Sequence, residues 1–286
     1  MSRASNNAAA VRVRGLRKTY GDAAAVDGID LDIAAGEVFA LLGPNGAGKS
    51  TTVEILEGLR DRDGGEVAVL GVDPQRAGTR WRSRIGVVLQ EAKDFSELRV
   101  GEAVRQFAAY YPRPRDPDEV IAAVGLASQV KAMTSALSGG QRRRLDVALG
   151  LVGDPELLFL DEPTTGFDPE ARRQFWDLIR VLRERGTTVL LTTHYLDEAE
   201  ALADRVGVLA GGRLVEVETP ERLGGRHLAE ALVSWDENGG RCEMRTAEPT
   251  RFVGELAILF KGEAPGLSVV QPSLEDIYLR LIGETK

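Results

Sequence analysis

Gly36-Glu37-Val38-Phe39-Ala40-Leu41-Leu42-Gly43-Pro44-Asn45-Gly46-Ala47-Gly48-Lys49-Ser50-Thr51 is an apolar run that enters a glycine-rich turn and leaves it as a helical pattern. The pattern G-x-x-x-x-G-K-[ST] is met by Gly43, Gly48, Lys49 and Ser50. Gly43, Gly46 and Gly48 lack side chains, so the backbone can curl until successive N–H groups face one concavity, a nest for phosphate oxygens. A helix starting near Gly48 adds the positive end of its dipole. Lys49 brings a full charge for terminal phosphates, and the Ser50 hydroxyl is a hard-oxygen donor of the kind Mg²⁺ takes. Taken alone, the same residues also suit a glycine-rich strand-to-helix turn with a surface lysine.

Outward from this stretch, apolar strands alternate with helical patterns. Val11 and Val13 alternate with Arg12 and Arg14, and Ile29, Leu31 and Ile33 with Asp30 and Asp32, giving two strands with one wet face each. Tyr20 lies in the turn between them. The run at 38–42 is apolar on both faces, as a buried parallel strand is. A helix is expected at 48–59, and strands at 66–70 and 85–89, the latter leading to Gln90. From Glu91 to Ala136 the texture becomes helical and proline-broken, with helices at 100–111 and 117–124. Leu137-Ser138-Gly139-Gly140-Gln141 then opens a further helix to about Gly153.

A second apolar strand, Leu157-Leu158-Phe159-Leu160, ends in Asp161-Glu162-Pro163. Strand C-termini of open α/β sheets are where ligands sit, so this acidic pair is a candidate site. On their own, the same two residues also suit strand-end acids that cap a loop. Asp168-Pro169 reads as N-cap and first residue of a long helix. A strand at 187–193 ends on His194, a helix follows at 197–203, and Gly211-Gly212 turns a closing hairpin. The expected fold class is α/β, with a mostly parallel core sheet, an N-terminal antiparallel part and a helical insertion.

In order and spacing, Gln90, residues 137–141, Leu157 to Glu162, Asp168 and His194 resemble the motif set of ATP-binding cassette (ABC) ATPases. The Leu-Ser-Gly-Gly-Gln signature is the most specific part, and the resemblance covers about Val11 to Leu223. It implies ATP contacts along the whole loop, from Gly43 and Pro44 through Asn45, Gly46, Ala47, Gly48, Lys49 and Ser50 to Thr51. It implies that Asp161 and Ser50 serve Mg²⁺, with Gln90 approaching both the ion and the attacking water. Glu162 becomes the general base and His194 the switch residue on the γ-phosphate. Ser138, Gly139, Gly140 and Gln141 would close over nucleotide held by a second copy or paralogue, head to tail. Tyr20 matches the aromatic that stacks on adenine, although a tyrosine packed on its own domain fits the position nearly as well. Phe167 stands where the family usually has leucine, which puts the packing of that loop in question.

The domain reading is a loose tail at 1–10, a nucleotide-binding domain at 11–224 with a helical subdomain at about 91–153, and a small α+β accessory domain at 225–286. In the last, strands at 228–235 and 242–245 flank Asn238-Gly239-Gly240. Phe252, Leu256, Leu259 and Phe260 share a helix face, a strand follows at 267–270, and Ser273 with Asp276 caps a final helix. So little chain buries little core alone, so its apolar faces are expected to lean on the cassette, a second copy or a membrane subunit.

The chain has 286 residues, a formal net charge of −8 and one cysteine, Cys242. The charge disfavours general attraction to nucleic acid, and a lone cysteine gives no disulfide framework. No apolar run approaches the ~20 residues of a membrane span. With these numbers, the resemblance implies a cytoplasmic ATPase, peripheral on the cytoplasmic face of a membrane and working with polytopic permease subunits. The closing segment resembles the tail of drug- and antibiotic-exporter ATPases. An importer ATPase, or an ABC ATPase without a membrane partner, are the other functions that the motif set allows.

Overall fold

The computed structural model describes residues 9–88, 97–237 and 239–283. The first unit starts with β1 (Ala9–Tyr20) and β2 (Ala23–Ala34), a long antiparallel pair. Then come β3 (Val38–Leu42), α1 (Lys49–Leu56), β4 (Gly64–Val69), α2 (Thr79–Arg82) and β5 (Ile85–Val88). The insertion holds α3 (Val100–Ala108), α4 (Pro117–Ala123) and α5 (Gly139–Leu151). The chain returns through β6 (Leu157–Asp161), α6 (Pro169–Glu184), β7 (Thr188–Thr193), α7 (Leu196–Leu202), β8 (Arg205–Ala210) and β9 (Arg213–Glu218).

The central sheet runs β5-β6-β7-β3-β8-β9, with β5 to β8 and β3 paired in parallel. Every residue of β3 is buried, as are the first four of β6 and all of β7. That is why these strands read as continuous apolar runs. β1 sits between β2 and β4 in a separate antiparallel sheet. Its inward residues Val11, Val13 and Leu16 share one core with Phe39 of β3, Val53, Ile55 and Leu56 of α1, and Phe159 of β6. Phe39 and Phe159 are fully buried, each contributing roughly 1.5–3 kcal/mol of burial free energy. α1 is thus wedged between the two sheets, which fixes the direction of the loop that precedes it.

Asp168 caps α6 by accepting from the Ala171 amide at 2.7 Å, with Pro169 at the first helical position. β2 begins six residues before the 29–33 strand read from the sequence. Its first residues, Ala23-Ala24-Ala25, carry no strand preference of their own. They are held there by pairing with the end of β1. No helix among the described residues is long and apolar enough to cross a membrane.

The chain divides into two compact units between Val217 and Glu218. The second holds β10 (Ala231–Glu237), β11 (Gly240–Thr246), α8 (Pro249–Leu259), β12 (Ser268–Val270) and α9 (Leu274–Gly283), with sheet order β11-β10-β12. Val233 and Trp235 pack on Leu256 and Ala264, and Phe252 meets Trp235 edge-on at 5.5 Å. The expected apolar face of α8 needs one correction. Leu259 is 63% exposed, and Val253 takes its place beside Phe252, Leu256 and Phe260. On a helical wheel Leu259 lies at the edge of the stripe formed by these four residues, outside the packed cluster. α9 is capped as the sequence indicates: the Ser273 amide donates to Asp276 at 2.9 Å, and the Asp276 amide to Ser273 Oγ at 3.1 Å.

Candidate functional site

β3, β7 and β6 are neighbours in the sheet, so their C-terminal ends present the glycine loop, His194 and the acidic pair along one edge. Two of the loop's glycines are required by space. A Cβ on Gly43 would stand 2.5 Å from the Leu209 carbonyl oxygen, and one on Gly48 2.2 Å from that of Ala25. Gly48 also has φ 100°, which side chains rarely tolerate. Gly48 offers α1 no side-chain cap, so the first amides of that helix stay available to an anion. Pro44, Asn45 and Gly46 are exposed along the mouth of the loop, Ala47 is buried beneath it, and Ser50 is exposed on the first turn of α1, followed by half-buried Thr51.

Lys49 is only 7% exposed, and its Nζ donates to the carbonyls of Gly43 at 2.7 Å and Pro44 at 3.1 Å. Burial pushes the ammonium pKa down, while the negative charges of Glu162 and Asp161 pull it back up. The lysine and the acidic pair, more than a hundred residues apart in sequence, therefore share one electrostatic site. Asp161 closes β6 and accepts from the Thr192 hydroxyl on β7. Glu162 lies just beyond, in a left-handed conformation at φ 45°. Its amide donates to Thr192 O at 3.1 Å and Thr192 Oγ1 at 3.2 Å. Its carboxylate lies 3.2 Å from His194 Nδ1. The His194 ring rests on Tyr195 at 4.1 Å, and Arg172 covers the other aromatic at 4.6 Å.

Ser138 is the N-cap of α5, exchanging hydrogen bonds with Gln141 in a capping box. Gly139 is exposed and Gly140 half-buried. Phe167 is buried under this helix start, 4.0 Å from where a Cβ on Gly140 would lie, and edge-on to Phe175 at 6.0 Å. The larger ring is thus accommodated by an aromatic partner on α6. Tyr20, at the end of β1, is 44% exposed, with Lys18 and Arg60 at 5.7 and 5.4 Å from its ring centroid. Gln90 lies outside the described residues.

Two groups at this site carry no sequence signal. Arg143, in the run Arg142-Arg143-Arg144, is 8% exposed and turns toward the acidic strand end. Glu57 caps the C-terminal end of α1, is 4% exposed, and leaves Oε2 without a hydrogen-bond partner. Burial, with the charges of Asp161 and Glu54 adding to it, pushes the Glu57 carboxyl up to about 8. Between the ordinary carboxylate pKa and that value the folded chain holds a proton that the unfolded chain has released. Stability therefore falls as pH rises through this window. Glu57→Gln is expected to match the parent at pH 4 and to exceed it by on the order of 3 kcal/mol at pH 8, measured by urea unfolding. An equal difference at both pH values would exclude a buried, protonated Glu57.

A glycine-rich loop ahead of a buried lysine, facing an acidic pair on a nearby parallel strand, is the arrangement of the P-loop nucleotide-hydrolase class. Within it the family is specific. The family described as ABC transporter matches residues 26–165. A daunorubicin resistance ATP-binding protein of Streptomyces coeruleorubidus is 44% identical, covering 97% of this chain and 97% of that one. A Nod factor export ATP-binding protein of Rhizobium sp. (strain N33) is 38% identical, covering 96% of this chain and 97% of its own. A bacterial ABC transporter cassette solved as a dimer is 26% identical with a TM-score of 0.66, over 73% of this chain and 98% of that one. The same cassette solved with ADP and Pi after hydrolysis gives 26% and 0.67 over the same shares. The chain belongs to the ABC transporter family, as its ATP-binding, ATP-hydrolysing cassette.

Proposed function

We propose that this chain powers an exporter of drugs, antibiotics or other small molecules from the cytoplasmic face of a membrane, paired head to tail with a second cassette and docked on polytopic permease subunits. What supports export is the length of the likeness: relatives named for daunorubicin resistance and Nod factor export align over 96% or more of this chain, beyond the cassette itself. In this reading residues 11–224 do the chemistry and residues 225–286 serve assembly.

The backbone from Gly43 to Thr51 holds the phosphates of ATP, Lys49 meets the β- and γ-phosphates, and Tyr20 stacks on adenine. Glu162 takes a proton from the water that attacks the γ-phosphorus, while His194, 3.2 Å from the Glu162 carboxylate, orients base and phosphate together. Ser138, Gly139, Gly140 and Gln141 close on the nucleotide of the opposite copy. Mg²⁺ fits the donors present. Ser50 is an exposed hydroxyl and Asp161 a half-buried carboxylate, while no group of three or more His, Cys, Asp or Glu among the described residues could hold an ion unaided. Few protein oxygens supplemented by substrate phosphates is the usual Mg²⁺ arrangement. Ser50 and Asp161, with Gln90, would hold the ion, and it would supply positive charge at the β- and γ-phosphate oxygens.

Cells making this chain together with its polytopic subunits are expected to accumulate less doxorubicin than cells making the membrane subunits alone, as read by drug fluorescence. Ser138→Arg, which puts a bulky cation where the opposite nucleotide would sit, is expected to erase that difference while the isolated subunit still binds ATP. Full efflux by the Ser138→Arg protein would defeat the head-to-tail arrangement, and no efflux by the unaltered protein would defeat the assignment to drug export.

A further inference from the structure

The strand-end turn that carries Glu162 is clamped from two sides. On one side Thr192 accepts twice from the Glu162 amide. On the other, the Arg143 guanidinium of α5 gathers the turn's carbonyls. Nη2 donates to Asp161 O and, at 3.3 Å, to Glu162 O, and Nε donates to Pro163 O at 3.2 Å. Three successive carbonyls therefore point at one buried cation. The guanidinium also feels the carboxylates of Asp146, Asp161, Glu162 and Glu198 around it.

Glu162 needs such a clamp. A non-glycine residue at φ 45° is unfavourable by itself and persists only where its surroundings over-determine it. The planar fork of arginine can bridge several carbonyls at once, whereas a lysine ammonium at the end of a flexible stem cannot reproduce that geometry.

The geometry points to Arg143 as a positioning residue that holds Glu162 in its working conformation and ties it to the helix carrying Ser138, Gly139 and Gly140. This rests on the reading of Glu162 as the base. It adds a direction of communication. The start of α5 meets nucleotide on the opposite copy, while Arg143, on the next turn of the same helix, holds the base that works on this chain's own nucleotide. Closure at one site thereby sets the base at the other.

The test compares Arg143→Lys and Arg143→Gln with the unaltered chain, each alone and combined with Glu162→Gln. Turnover at saturating ATP is expected to fall at least tenfold in both single variants, with ATP affinity by calorimetry unchanged within twofold. Combined with Glu162→Gln, neither is expected to lower the residual rate further, because a residue acting through the base has nothing left to position. Arg143→Lys turning over at the parental rate while Glu162→Gln is inert would overturn the proposal alone, as would an equal loss in the presence and absence of Glu162. Full turnover by Glu162→Gln would remove the base assignment and this proposal with it.

Discussion

Glu162→Gln is expected to bind ATP as the parent does and to hydrolyse it about 10² to 10⁴ times more slowly, the range that a positioned general base supplies. The substitution keeps the size of the side chain and its hydrogen-bonding oxygen, so the turn held by Thr192 and Arg143 has no cause to move. What is lost is the ability to accept a proton from water. Lys49, the loop amides and Ser50 are untouched, so phosphate binding is spared. With hydrolysis stalled and binding intact, ATP should accumulate between two copies, and size-exclusion with ATP should show a dimer that the parent populates only briefly. Steady-state hydrolysis equal to that of the parent would show that another group activates the water.

The sequence was legible where chemistry and burial coincide. β3 and β6 are continuous apolar runs because both of their faces are buried, and the residues that leave those runs, Gly43 and Asp161, stand at the strand ends. The cap of α6 could be read because Asp168-Pro169 does its work locally, within one turn. Features set by distant contacts were not legible. The early start of β2 depends on β1, since Ala23 to Ala25 would suit a helix equally well. Leu259 fits an apolar helical face but stays exposed, outside the cluster that Phe252, Val253, Leu256 and Phe260 join. Arg143 sits in a triple arginine that reads as a solvated helix face, and Glu57 looks like any exposed helical glutamate. Burial makes both unusual, and burial here depends on how β6 and α1 meet the rest of the fold.

Lys49→Ala tests the other half of the site, and its expected effect is on binding. A charge-assisted hydrogen bond is worth roughly 1.5–3 kcal/mol, so ATP affinity should fall by about tenfold to a hundredfold or more. Two features of the structure favour the larger end. The ammonium is nearly buried, where contacts are poorly screened by water, and it faces Glu162 and Asp161. Removing it leaves those two carboxylates as the dominant local charge, so the site becomes repulsive to triphosphate as well as lacking an attraction. Truncation also strips a donor from the Gly43 and Pro44 carbonyls. For that reason the stability of the variant should be measured beside its affinity, and Lys49→Met, which keeps most of the stem, compared with it. Calorimetry separates this residue from Glu162: Lys49→Ala should change the dissociation constant for ATP, and Glu162→Gln the turnover at saturation. Equal ATP affinity in Lys49→Ala, Lys49→Met and the parent would mean that the glycine loop does not hold the phosphates, however well its shape suits them.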